Sequence, residues 1–112
     1  SISVPASIDG YTQNYITAIP DEMIHVSYEN GDEEMYFRKG TLTDDLSGDY
    51  NVYAYEDTRS LDGLNITVKG NSDQQLHVAF WSDEEHSYAI GSSAALDADT
   101  MAEYIRTLAE LS

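Results

Sequence analysis

Apolar and polar residues alternate through most of residues 10 to 91, and short turn signals interrupt the alternation. Side chains of a β-strand point alternately to its two faces, so a period of two is typical of strands with one buried face. Asn30-Gly31 and Asp62-Gly63 stand between such runs, and both dipeptides favour two-residue hairpin turns. The pattern predicts an antiparallel β-meander of about six strands over residues 10–91.

The last segment changes period, because its apolar residues recur at helical spacing over residues 97–111. Asp97 or Asp99 is suited to cap the N-terminus of this helix. A sheet with one apolar face needs a cover, and one amphipathic helix can supply it. We therefore predict a single α+β domain over residues 1–112, with residues 1–9 as an extended N-terminal segment and the helix packed on one face of the sheet.

The composition is strongly acidic, with 21 acidic residues against 5 basic ones and a net charge of −16. Such a charge repels phosphate groups and anionic lipid headgroups, which argues against nucleic acid as a partner and against direct membrane insertion. The chain has no cysteine, which excludes disulfides and thiolate chemistry. Its start, SISVPASIDGY, is typical of the interior of a longer precursor, so we expect a removed leader or an anchor.

The acidic stretch DDLSGDYN, residues 44–51, admits a metal-binding interpretation. Calcium takes six to eight oxygen ligands, and Asp44, Asp45, Asp49 and Asn51 offer several. The spacing differs from that of an EF-hand loop, which needs ligands at alternate positions and a glutamate at the twelfth. A calcium-binding or calcium-stabilised module is therefore an alternative, and the main prediction includes no metal and no cofactor.

The same stretch also fits a chain reversal without any ligand. Ser47, Gly48 and Asp49 favour local hydrogen bonds, and Gly48 can supply a positive φ before a strand that begins at Tyr50. We prefer this interpretation, in which the stretch is a structural corner.

The three histidines, His25, His77 and His86, form no metal-binding pair such as HxH or HExxH. His25 and His77 fall within strand patterns, so we predict that they face solvent. Serines such as Ser47 and Ser60 lack the GxSxG pattern of a nucleophile elbow. A small hydrolase that uses one histidine with a nearby serine or carboxylate is a second alternative.

Aromatic residues are numerous, with nine tyrosines and one tryptophan. Tyrosine and tryptophan combine a flat apolar ring with a polar group, so they suit either a sheet core or a binding platform. The candidate binding face for sugar rings or a peptide consists of Tyr36, Tyr53, Tyr55 and Trp81.

The order of the segments RKGTLTDDLSGDYNVY, LDGLNITVKGN and VAFWSDEEHSYAI, followed by a helix, resembles the bacterial family called domain of unknown function 4367. The resemblance covers about Tyr11 to Leu111. It implies an extracytoplasmic setting, mostly in Gram-positive bacteria, behind a secretion signal, a lipoprotein anchor or a membrane segment. It brings no catalytic residues. The resemblance also marks a structural signature, which consists of Arg38, Lys39, Asp45, Ser47, Gly48, Asp49, Tyr50 and Asn51. Within it we expect Arg38 or Lys39 to form an ion pair with Asp45 or Asp49.

The function expected from the sequence is that of a non-enzymatic extracytoplasmic binding or sensing module of a secreted protein or lipoprotein. Some relatives in the family that this chain resembles lie outside the membrane in anti-sigma-like proteins, which implies a sensory or binding module. The expected ligand is a protein, a peptide or a glycan at the cell envelope.

Overall fold

The computed structural model describes residues 6–20, 22–49 and 51–110. Within these residues eight strands form one antiparallel sheet, and one helix follows them. The elements are β1 (Ser7–Ile8), β2 (Tyr11–Ile19), β3 (Met23–Asn30), β4 (Glu33–Thr41), β5 (Tyr55–Leu61), β6 (Leu64–Ser72), β7 (Gln75–Ser82), β8 (His86–Leu96) and α1 (Ala98–Glu110). The antiparallel sheet and the C-terminal helix confirm the predicted α+β class.

The order of the strands differs from a meander. They lie side by side as β1-β2-β3-β4-β8-β7-β6-β5, so that β4 pairs with β8 and β5 lies at the far edge. The connection between β4 and β5, residues 42–54, must therefore cross the sheet over β8, β7 and β6. The predicted single meander over residues 10–91 is wrong in this respect, because local turn signals do not encode the pairing of β4 with β8. The strand expected from Tyr50 begins at Tyr55 instead.

Both predicted hairpins are confirmed. Asn30 pairs with Glu33 across a two-residue turn, and Gly31, the first central residue, has a φ of 63°. Asp62 and Gly63 join β5 to β6 and have φ values of 51° and 84°. The Asp62-Gly63 turn has positive φ at both central positions, which is the feature of a type I′ turn. The twist of such a turn matches that of the flanking strands.

The helix begins as predicted at the Asp97 cap. The Asp97 carboxylate accepts a hydrogen bond from the Thr100 N–H at 2.7 Å, which satisfies a free donor of the first turn. Met101, Ile105 and Leu108 are buried and belong to the same core cluster as alternate residues of the strands. That cluster includes Val26, Tyr28, Met35, Phe37, Ile66, Val68, Leu76, Ala79, Trp81, Tyr88 and Ile90. The helix therefore covers one face of the sheet. Of the predicted N-terminal segment, residues 1–5 lie outside the described residues, as does residue 111.

Candidate functional site

The face of the sheet opposite α1 carries the residues that contact the crossing connection. Phe37 and Ile90 lie beneath α1. Because strand side chains alternate, Tyr36 and Arg38 project to the other side, where position 91 also faces. We call this side the loop face, because residues 42–49 and 51–54 pass over it. The helix and the connection thus cover opposite faces of one sheet.

Arg38 ties the connection to the loop face. Its Nε donates a hydrogen bond to His25 Nδ1 at 2.9 Å, and its Nη1 donates to the main-chain oxygens of Leu46, at 3.3 Å, and Ser47. The guanidinium carbon lies 4.2 Å from the centre of the Tyr36 ring, and the Tyr36 hydroxyl donates to the same Ser47 oxygen at 3.2 Å. The planar fork of arginine suits several acceptors at once. Arg38 contacts the corner through these carbonyl oxygens.

The ion pair at the corner is made by another cation. Lys69 Nζ lies 3.9 Å from Asp45 Oδ2, and the two side chains are only 13% and 16% exposed. Lys39 pairs in register with Ile24 and Tyr88, so it lies on the side of α1. The expected ion pair between Arg38 or Lys39 and the corner is therefore wrong, because Lys69 is the cation that pairs with Asp45. Lys39 does not belong to the corner.

Side-chain hydrogen bonds connect successive residues of the corner. Asp45 Oδ1 accepts from the Ser47 N–H at 2.8 Å and from the Ser47 hydroxyl. Ser47 Oγ accepts from the Asp49 N–H at 3.1 Å, and Asp49 Oδ1 accepts from the N–H of Asn51 at 3.1 Å. Gly48 has a φ of 65°, a conformation that residues with a Cβ rarely adopt. Asp45, Ser47, Asp49 and Asn51 are thus linked by successive side-chain hydrogen bonds, and Tyr50 lies outside the described residues.

The carboxylates named for calcium already have protein partners. Asp45 contacts Ser47 and Lys69, Asp49 contacts Asn51 and Tyr53, and Asp44 is exposed. In the part of the chain that the structure describes, no group of three or more acidic or histidine side chains is placed to hold a metal ion.

Calcium is therefore expected to stabilise the protein no more than magnesium does. A specific ion would have to displace the Lys69 ammonium and two hydrogen-bonded side chains before it could bind the folded state. Thermal unfolding in millimolar calcium, against magnesium at equal ionic strength, measures the difference. A rise in midpoint that occurs only with calcium and grows with its concentration would contradict this expectation, because native-state binding produces that dependence.

A cleft of about 470 Å³ lies beside the connection on the loop face. Two groups of stacked rings line it. Tyr15, His25 and Tyr36 form the first, with ring centres 5.8 Å and 5.4 Å apart, and Tyr53 and His77 form the second, with centres 6.1 Å apart. We call this cavity the aromatic cleft.

Gly91 makes room for the Tyr36 ring in the aromatic cleft. A Cβ atom at this position would lie 2.0 Å from Tyr36 Cε2, much closer than two carbon atoms can approach. Glycine within a strand often marks such a close approach. The ring of Tyr36 therefore occupies the space that a side chain at position 91 of β8 would fill, and its hydroxyl donates to the Ser47 oxygen.

The two histidines of the cleft are half-buried and hydrogen-bonded, so the prediction that they face solvent is wrong. His25 Nδ1 accepts from Arg38, which leaves the proton of the neutral ring on Nε2. His77 Nδ1 lies 2.9 Å from the Ser92 main-chain oxygen and must donate to it, so His77 Nε2, 3.3 Å from Asn71 Nδ2, is an acceptor. Among the described residues, no histidine ring is hydrogen-bonded to a serine hydroxyl or a carboxylate.

Asp49, one of the acidic residues that line the cleft, is held in its charged form. Burial by itself would raise the pKa of Asp49, but hydrogen bonds from Tyr53 and Asn51 lower it below its ordinary value. The Tyr53 hydroxyl donates to Asp49 Oδ2 at 2.5 Å, and burial together with this carboxylate raises the pKa of Tyr53 to about 12. At neutral pH the cleft therefore presents a carboxylate and a protonated phenol.

His25 is expected to make stability depend on pH near neutrality. Burial and the positive charge of Arg38 lower its pKa below 6.5. The folded chain then binds fewer protons at this ring than the unfolded chain does, so its stability is complete above pH 6.5 and falls as the pH drops below that value. Carboxylates whose pKa is lowered, such as Asp49, make the stability fall only at a more acidic pH.

The matching variant is His25→Asn, whose side-chain oxygen can accept the Arg38 hydrogen bond without titrating. Chemical unfolding at several pH values between about 5 and 8 should show a shallower fall in stability for the variant than for the parent chain. Equal slopes in that range would contradict the assignment.

Trp81 does not belong to a binding face, which corrects the predicted set. It is 4% exposed and stacks on Tyr88 at 5.4 Å between ring centres, on the side of α1. Tyr55 is half-buried and packs against the edge of the core. Only Tyr36 and Tyr53 of the four line the aromatic cleft. Tyr15 and Gly91 were missed, and the one available signal was a glycine inside a strand pattern. His25 and His77, which also line the cleft, were named only as candidate hydrolase residues.

The chain matches no known protein family, no curated protein and no solved structure. The resemblance to domain of unknown function 4367 therefore stays a prediction. Among the described residues, no helix has the length and apolar character needed to cross a membrane.

Proposed function

We propose that this chain is a non-enzymatic binding module of the bacterial cell envelope, and that it binds a sugar ring of a glycan in the aromatic cleft. The observation that carries the proposal is the convergence of five tyrosine and histidine rings on one cavity. The extracytoplasmic setting rests on the family resemblance alone.

The chemistry of the cleft suits a sugar in two ways. The C–H faces of a pyranose are apolar and flat, so they pack on aromatic rings, while tyrosine keeps a polar end for hydrogen bonds. Sugar hydroxyls need strong acceptors, and Glu34 and Asp49 border the same cavity. The volume of about 470 Å³ falls within the usual range for small-molecule sites.

The charge of the cleft favours a neutral or cationic sugar over an anionic one. Asp49, whose pKa is lowered, carries a negative charge at neutral pH, and Glu34 lines the same cavity. Arg38, whose guanidinium lies over the Tyr36 ring, directs its hydrogen bonds at His25, Leu46 and Ser47. A uronate or a phosphorylated sugar would therefore meet uncompensated repulsion.

The hydrogen bonds of the two histidines support a binding site rather than a hydrolase site. A hydrolase needs a general base within hydrogen-bond reach of its nucleophile. His25 and His77 have their Nδ1 atoms occupied by Arg38 and by the Ser92 main-chain oxygen. These contacts support a role of the histidines as walls of the cleft.

The test is calorimetric titration with neutral cellotetraose and tetra-N-acetylchitotetraose, against anionic tetragalacturonate. We expect a neutral oligosaccharide to bind and the uronate not to bind. Tyr15→Ala should weaken binding about two- to tenfold, since an aromatic contact contributes about 0.5–1.5 kcal/mol. Tyr15 is 51% exposed, so the change should leave the fold intact.

The matched control is Val52→Ala, in the connection between β4 and β5. The Val52 side chain is apolar and 99% exposed, and it does not line the cleft. It should bind like the parent chain. Equal binding of the uronate, or no binding of either neutral probe at millimolar concentration, would contradict the proposal. Cleavage of a probe during long incubation, abolished by His77→Ala, would favour a hydrolase instead.

A further inference from the structure

The two edges of the sheet differ in charge. The edge strand β5 has the sequence YEDTRSL and carries Glu56, Asp57 and Arg59, with 3.8 Å between Arg59 Nε and Asp57 Oδ2. At the opposite edge, β2 has the sequence YTQNYITAI and carries no charged residue in nine positions. This is unusual in a chain with 26 charged residues among 112, from 21 acidic and 5 basic ones.

Only the first part of β2 has an outer neighbour among the described residues. β1 pairs with Tyr11 and Thr12, and the Gln13 N–H donates to the Ala6 oxygen at 2.8 Å. Beyond a bulge between Gln13 and Tyr15, β2 continues as an outer strand to Ile19. We call residues 15–19 the open edge.

The open edge is apolar on both faces. Ile16 and Ala18 lie opposite Val26 and Ile24, on the side of α1, while Tyr15 and Ile19 lie on the loop face. Tyr15, Ile16 and Ile19 are 51%, 55% and 43% exposed. Sheet edges are normally protected by charges, prolines or very short strands, because their free N–H and C=O groups can pair with another chain. The β5 edge has such protection and the open edge does not.

We propose that the open edge binds an extended segment of a partner protein as an added antiparallel or parallel strand, and that this segment has apolar side chains at its centre and basic residues at both ends. Strand addition uses main-chain hydrogen bonds for affinity and alternate side chains for specificity. The apolar centre would cover Ile16, Ile19 and Tyr15.

The basic ends follow from the charges around the open edge. Glu22 comes just after the strand, with its N–H donating to the Ile19 oxygen at 3.0 Å, and Glu29 pairs with Thr12 near the other end. The chain as a whole carries a net charge of −16. That field attracts a cationic segment and repels a second copy of this chain.

The test uses the full chain and a synthetic peptide, acetyl-Lys-Lys-Val-Thr-Ile-Thr-Val-Lys-Lys-amide. Binding is followed by calorimetry and by ¹H–¹⁵N correlation spectra. We expect saturable binding, with the largest amide shifts in residues 15–19. A peptide with N-methyl groups on its five central residues keeps the side chains and charges but has no central N–H donors, so it should bind at least tenfold more weakly. Replacing its four lysines by glutamates should have an effect of the same size at low salt.

Ile16→Thr separates this proposal from the glycan proposal, because Ile16 lies on the side of α1 and does not line the aromatic cleft. The variant should weaken peptide binding at least threefold and leave oligosaccharide binding unchanged. Equal binding of the N-methylated peptide, or shifts centred outside residues 15–19, would overturn the proposal. Self-association of the protein that Ile16→Lys abolishes would assign the open edge to a second copy. Peptide binding that occurs only after deletion of residues 1–5 would assign it to the chain itself.

Discussion

Replacement of Arg38 by methionine is expected to lower the free energy of unfolding by about 2–3 kcal/mol. A hydrogen bond from a charged group contributes about 1.5–3 kcal/mol, and in the variant the acceptors would stay buried but lose their donor. The guanidinium joins three parts of the loop face: His25 on β3, the Tyr36 ring on β4, and the carbonyl oxygens of Leu46 and Ser47. Its loss should free the connection from the sheet as well as lower stability.

The neighbouring residue provides the matched control. Lys39→Met removes a positive charge one position away, on the side of α1, and should change stability by no more than about 0.5 kcal/mol. Arg38→Lys should fall between the two, because an ammonium cannot reach the same acceptors in the geometry of a planar fork. Urea unfolding gives the stabilities, and limited proteolysis within residues 42–54 reports the release of the connection. Equal effects of the Arg38 and Lys39 changes would contradict the assigned role.

Gly91→Ala is expected to destabilise the protein by about 1–3 kcal/mol, the usual cost of overpacking a filled site. The new methyl group would overlap the Tyr36 ring, whose nearest atom lies 2.0 Å from the ideal Cβ position. The ring cannot move away freely, since it stacks on His25, contacts Arg38 and donates to the Ser47 oxygen. Oligosaccharide binding should weaken along with stability, because this ring forms a wall of the aromatic cleft.

A double-mutant cycle isolates the clash from other effects of the methyl group. Tyr36→Ala removes the ring, so Gly91→Ala made in that background should cost at least about 1 kcal/mol less than it does in the parent chain. Urea unfolding of the four proteins gives the coupling energy. Additive effects of the two changes would show that the glycine has another role.

Local signals in the sequence were sufficient for the elements of the fold. Asp62-Gly63 needs only its own backbone preference to form a tight turn, and Asp97 caps α1 through a residue three positions away. The alternation of Leu64, Ile66 and Val68 along β6 depends on the strand itself. These interactions join residues close in sequence, which is why pattern reasoning finds them.

The pairing of β4 with β8 had no such signal. The residues involved lie far apart in the sequence, for example Phe37 and Ile90, and either strand could have paired equally well by its pattern with β5. The missing information was that the connection crosses the sheet. One of its anchors is also remote, since Lys69 contacts Asp45 from β6. A corner that looks local in sequence is thus held partly by a long-range contact.

The same limitation explains how much of the candidate site could be foreseen. Tyr36 and Tyr53 were named from composition and pattern, but Trp81 was named with them because the sequence does not say which face α1 covers. The register of β7 places Trp81 opposite Tyr88, beneath the helix. A register shift between Leu76 and Val78 breaks the simple alternation of β7, so Ala79 and Trp81 join Leu76 in the core cluster while Val78 lines the aromatic cleft.

The central claim, that the aromatic cleft binds a neutral sugar, is tested most directly by following the ring signals of histidine and tyrosine in ¹H–¹³C correlation spectra during titration with tetra-N-acetylchitotetraose and cellotetraose. We expect one of these ligands to shift the signals of His25, His77 and Tyr53 along a common saturation curve, while those of His86 and Tyr104 stay in place. His86 lies outside the cleft, and Tyr104 lies on α1, buried against the opposite face of the sheet. No change at the cleft rings, or larger changes at the side of α1, would contradict it.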